Sequence, residues 1–110
     1  MQALFISEAP SFNSRPREIA AIAARTGLPA VYGFRAFVAA GGLMSYGVNL
    51  PGVYRRSAEL ADKILKGRSP ADLPIELPVR WELVINLKAA KALGIAMPTS
   101  LLLRAEDVIE

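Results

Sequence analysis

Apolar residues arrive in short blocks separated by polar stretches that carry glycine or proline. Ala3-Leu4-Phe5-Ile6-Ser7 is a continuous apolar run, which fits a strand buried on both faces. A polar loop from Glu8 to Ser14 follows. Pro16 then suits a first helical turn and Gly27 a helix stop, and between them Ile19, Ala20, Ile22 and Ala23 recur at helical spacing. Pro29-Ala30-Val31-Tyr32 reads as a second strand. Strand, helix and strand with short connections make a βαβ unit, and that implies parallel pairing.

Phe34 to Ala40 reads as a short helix closed by Gly41-Gly42, and Leu43-Met44-Ser45-Tyr46-Gly47 as a third strand. The clearest helix comes next. Asn49 suits its N-cap and Gly67 the position after its end. Leu50, Val53, Tyr54, Ser57, Leu60, Ala61, Ile64 and Leu65 fall on one face, and Arg55, Arg56, Glu59, Asp62, Lys63 and Lys66 on the other. Glu59–Lys63 and Asp62–Lys66 stand at i, i+4 in the favourable order. Ser69 to Pro78 holds Pro70, Pro74 and Pro78, so it should be an extended connector. Leu83-Val84-Ile85 is a further strand candidate. Asn86 caps a helix through Leu93 that Gly94 closes. Thr99 or Ser100 would cap a last helix over Leu101–Arg104, and Glu106 and Asp107 read as a solvated tail. The pattern is α/β with a small, mostly parallel sheet and flanking helices.

Composition narrows the chemistry. The 110 residues are 53% hydrophobic and 21% charged, enough apolar material for a core. The net charge of +3 is spread among acidic residues. A nucleic-acid footprint clusters its basic residues, so nucleic acid is not an expected partner. Without Cys or His there is no disulfide, no Cys nucleophile, no imidazole base and no zinc site built on either residue. No phosphate loop, dinucleotide fingerprint or nucleophile elbow occurs, so no catalytic residue, metal or cofactor is implied and the chain does not read as an enzyme. The apolar run after Met1 is short and lacks a basic flank, so it is no signal peptide, and nothing approaches the ~20 apolar residues of a membrane span. As written, the sequence reads as cytoplasmic.

In open α/β sheets, ligands sit beyond the carboxyl ends of the strands. The loops there would be Glu8–Ser14, the turn at Tyr32-Gly33-Phe34, and Tyr46-Gly47. Ser11 and Asn13 precede a helix whose free N–H groups would attract an anion such as a carboxylate. Tyr32, Phe34 and Tyr46 would supply apolar walls, the tyrosines with polar tips, and Arg35 would pair with a ligand carboxylate. Each has a plainer reading: Ser11, Asn13 and Ser14 as loop and cap residues, Phe34 as a core anchor, Arg35 as a solvated helix-start residue.

Several segments, in order, carry a family resemblance: Gly41-Gly42-Leu43-Met44-Ser45-Tyr46-Gly47, Tyr54-Arg55-Arg56, and Asp62-Lys63-Ile64-Leu65-Lys66-Gly67. Pro70-Ala71-Asp72-Leu73-Pro74-Ile75-Glu76 and the run from Leu83 to Gly94 continue it, and Asn13-Ser14-Arg15 and Leu28 to Tyr32 fit upstream. Together they resemble the C-terminal part of the ABC-importer solute-binding proteins labelled a tryptophan/tyrosine transport component.

The resemblance implies the C-terminal lobe, plus one crossover helix, of a type I periplasmic binding protein. Residues 1–47 would form a βαβ part of that lobe. Residues 48–74 would be a crossover helix and hinge connector, with Gly47, Ser69, Pro70 and Pro74 at hinges. Residues 75–110 would return to the lobe. Such a chain would be a truncated or partial solute-binding component outside the cytoplasm. Its partners would be an amino acid or small organic acid and an ABC permease, and it would do no chemistry. The alternative is an intracellular regulatory or interaction module on the same βαβ core. Under the family layout the Leu50–Lys66 helix was shaped for a lobe that is not here, which implies a homodimer through that helix.

Overall fold

A computed structural model describes residues 2–77 and 80–110. β1 (Leu4–Ile6), β2 (Ala30–Tyr32) and β3 (Met44–Val48) run parallel, with α2 (Pro16–Thr26) and α3 (Arg35–Ala39) in the two crossovers. β4 (Trp81–Asn86) lies antiparallel to β3, and β5 (Asp107–Ile109) parallel to β4. The sheet order is β1-β2-β3-β4-β5. A four-residue helix, α1 (Pro10–Asn13), occupies part of the loop expected after β1.

Cross-strand register sorts the side chains by face, because directly opposed residues point to the same side. Ile6, Tyr32, Ser45, Val84 and Asp107 align on one face, and Phe5, Val31, Met44, Ile85 and Val108 on the other. The first face is covered. Phe37 and Val38 of α3 are buried with Tyr32 and Val84, and Ala20 and Ala23 of α2 complete the layer. On the second face Phe5 is 73% exposed.

α4 (Leu50–Leu65) leaves the sheet rather than lying on it. Its N-cap is as expected: the Gly52 N–H donates to Asn49 Oδ1 at 2.7 Å. None of its residues is buried. Sixteen residues give a rod about 24 Å long. The Cα radius of gyration is 17.1 Å, against about 13 Å for a compact chain of this length. The Asp62–Lys66 pair forms at 3.0 Å, but Glu59 turns to Arg56 at 2.7 Å instead of Lys63.

Other expectations shift. The connector is not extended throughout: Ser69 caps a single 3-10 turn, Pro70–Asp72. Pro78, its third proline, lies outside the described residues. Asp107 is no tail residue: it opens β5 and pairs with Arg35, while Glu106 meets Arg80 at 2.9 Å. β4 begins at Trp81, two residues earlier than expected, and α6 (Thr99–Leu102) also begins two residues early, capped by Pro98 without a side-chain bond. α5 (Leu87–Ala92) is capped by Asn86 as expected.

Candidate functional site

The parallel strands β1, β2 and β3 end at one edge of the sheet, and antiparallel β4 begins there. The loops after Ile6, Tyr32 and Val48 therefore leave from the same edge as Trp81 enters. Two glycines let that edge close up. A Cβ on Gly47 would lie 1.9 Å from the Gly33 carbonyl oxygen, and one on Gly33 would meet the Glu8 side chain at 2.4 Å. Glu82, opposite Gly47 and buried, accepts a hydrogen bond from Asn49 Nδ2 at 3.3 Å. Asn49 thus ties the start of β4 to the first turn of α4.

The expected contact residues are not gathered into one wall. Ser11 and Asn13 lie exposed inside α1, ahead of α2, and neither caps α2. Ser14 Oγ donates to the Ser11 carbonyl at 3.2 Å, and α2 starts at Pro16 without a side-chain cap. The first N–H groups of α2 thus stay uncapped at the edge. Phe34 is the N-cap of α3 and packs partly buried on the core. Tyr46 sits on the opposite face of the sheet, two residues from Met44, and is 57% exposed. Tyr32 is a core residue. It is 1% exposed, its ring stacks on Phe37 at 4.9 Å, and burial raises its pKa above the usual phenol value. The ring lies against Gly42, which precedes β3, so it points away from the strand-end loops and offers them no wall. Arg35 is held by Asp107 and is not a free cation for a carboxylate.

One residue at this edge escaped the sequence reading. The Trp81 indole stacks on Tyr46, centroids 5.7 Å apart and planes 21° from parallel. Both rings are more than half exposed, so they form an open aromatic surface where the chain passes between sheet and α4. Finding this pair requires the β3–β4 register, which pairs Val48 with Trp81 and Tyr46 with Leu83.

The expected hinges divide. Gly47 lies at the edge where the chain leaves for α4. Ser69, Pro70 and Pro74 lie beyond the far end of α4, about a helix length away, because the connector follows the whole rod. The chain re-enters the sheet at Trp81, the first residue of β4. A second cleft lies along the rod. Val53 and Leu60 of α4 face Leu77 across a groove of about 630 Å³. Arg56 spans the groove to Glu76 with bonds of 2.8 and 2.5 Å. The hydrogen bonds from Arg56 hold the Glu76 carboxyl below its usual pKa and raise that of Arg56. Among the described residues no cluster of acidic side chains could hold a metal ion, and no helix is long and apolar enough to cross a membrane.

The family described as ABC transporter substrate binding protein matches residues 6–109. Several solved structures superpose on nearly the whole chain. A conserved domain protein from Vibrio cholerae O1 biovar El Tor is 24% identical, with a TM-score of 0.88 over 97% of this chain and 36% of its own. An ABC domain in complex with L-Trp from Streptococcus pneumonia is 28% identical, with a TM-score of 0.86 over 97% of this chain and 37% of its own. A ligand-free, open substrate binding protein with adhesive properties from Clostridium difficile is 24% identical, with a TM-score of 0.64 over 97% of this chain and 36% of its own. The chain spans little more than a third of the length of these structures. No curated protein sequence matches it.

Proposed function

The chain belongs to the ABC transporter substrate binding protein family, and we propose that it supplies one side of a solute-binding cleft together with the arm that reaches toward the other side. The carrying observation is the geometry of α4, a rod that leaves the ligand-binding edge of the sheet with its apolar face uncovered. In this reading residues 1–47 and 81–110 belong to one lobe and the chain from Val48 to Leu77 crosses toward a second, the return starting later than residue 75 because Arg56 holds Glu76 against α4. The pivot lies at Gly47–Asn49 and Arg80-Trp81.

The solute is an amino acid or small organic acid. A relative in complex with L-Trp supports this class, as do the Tyr46–Trp81 surface and the uncapped α2 N-terminus beside Ser11 and Asn13. Delivery to an ABC permease outside the cytoplasm, without chemistry, completes the assignment. The uncovered α4 face also supports pairing of residues 1–110 with a second copy through Leu50–Lys66.

Calorimetry tests the reading. One side of a cleft falls well short of the ~70–90% ligand burial of complete pockets. Residues 1–110 should therefore bind tryptophan, tyrosine or branched-chain amino acids weakly or not measurably. Tight, one-to-one binding would contradict the half-cleft assignment.

A further inference from the structure

A hollow of about 310 Å³ lies at the opposite edge of the sheet from the strand-end loops, between α2 and α5. Leu28 and Ala30 at the start of β2, Leu43 before β3 and Asn86 at the end of β4 fix its position. Ala23 and Ala89 supply facing helix walls, and their methyl groups leave the space that larger side chains would fill. Its volume is at the lower end of the ~300–1,000 Å³ usual for small-molecule pockets.

Tyr32 lines this hollow, and its hydroxyl has no hydrogen-bond partner among the described residues. No described side-chain polar atom is both sealed from solvent and unpaired, so this hydroxyl keeps a narrow opening to solvent, and the hollow is a cavity that Tyr32 lines. Burial holds it in the neutral form, a donor. Asn86 is committed elsewhere: its Oδ1 accepts from the Ala89 N–H at 3.0 Å and its Nδ2 donates to the Val38 carbonyl at 3.4 Å. Lys88 also lines the hollow, is exposed, and makes no ion pair among the described residues. The hollow thus combines apolar walls, one unused buried donor and one unpaired cation.

We infer that this hollow is a second ligand site, for a compact carboxylic acid with an apolar body, its carboxylate held by the Tyr32 hydroxyl and the Lys88 ammonium. It is independent of the solute cleft, which lies at the other edge of the sheet.

Amide NMR of residues 1–110 titrated with phenylacetate tests the site, with benzyl alcohol as the uncharged probe. Phenylacetate should shift Ala23, Ala30 and Ala89 saturably. Tyr32→Phe should weaken it about two- to tenfold, the loss of one hydrogen bond. Lys88→Ala should weaken phenylacetate while leaving benzyl alcohol unchanged. Ala92→Phe, at an exposed lining position, should block both probes without disturbing the core, and it keeps the test decisive if the Tyr32 variant fails to fold. The proposal is overturned if phenylacetate produces no saturable shift by about 10 mM, a free energy near −2.7 kcal/mol. It is equally overturned if the shifts fall at Phe34 and Tyr46 instead, or if Ala92→Phe binds as well as the unaltered chain.

Discussion

Gly47 carries a steric demand that Gly33 does not share. The atom a side chain would strike at Gly47 is a backbone carbonyl oxygen, whereas at Gly33 it is the end of the Glu8 side chain, which can swing away. Gly47→Ala should cost about 1–3 kcal/mol by overpacking, and Gly33→Ala distinctly less. Chemical denaturation of the two variants checks the order, and equal losses would remove the close approach from the account. The Arg56–Glu76 clamp gives a pH signature. Glu76 titrates below its usual value because of Arg56. A carboxyl depressed in the folded state contributes at neutral pH, and that contribution is lost as pH falls through its lowered pKa. The clamp should therefore hold above about pH 5 and release below the ordinary glutamate range near 4.3. The Arg56 Nε–H resonance followed against pH reads this, and release at neutral pH would contradict it. Residue roles were only partly legible. Strand parity shows which face Tyr32 takes but not which way its ring leans along that face. That direction is set by Gly42 and Phe37, which tertiary packing brings to it.

At the level of elements, long helices were readable because their own residues specify them. α2 and α4 combine helical periodicity with glycine stops, and α4 adds a true side-chain cap at Asn49. Among the short elements, α1 and β5 were not. The three residues of β5 have no periodicity to detect, and they form a strand because β4 offers a free edge. The charges of Glu106 and Asp107 pointed to solvent, yet Arg80 and Arg35 wait at that edge. α4 also carries the sharpest test of assembly. Val53, Tyr54, Ile64 and Leu65 are exposed on it, and burying such side chains is worth roughly 1.5–3 kcal/mol each as an upper bound. Residues 1–110 should form a dimer that Leu60→Glu with Ile64→Glu converts to monomer in light scattering. An unchanged dimer would mean another surface holds it, and a monomer at high concentration in the unaltered chain would remove the association.

On the scale of the molecule, the α/β class and the parallel start of the sheet followed from block lengths and turn residues, and the structure has both. The reach of α4 followed only from the family resemblance, since an amphipathic helix looks the same whether it lies on its own sheet or projects from it. The proposed pivot draws only half on the sequence: Gly47 was visible, while Arg80-Trp81 was hidden behind a connector whose prolines drew attention to the far end of the rod. Mapping L-tryptophan by amide NMR tests the central claim, that the strand-end edge is one side of a solute cleft. The account predicts weak shifts at Ser11, Asn13, Tyr46 and Trp81 that do not saturate in the low millimolar range. Tight saturable binding, or shifts confined to residues away from that edge, would contradict it.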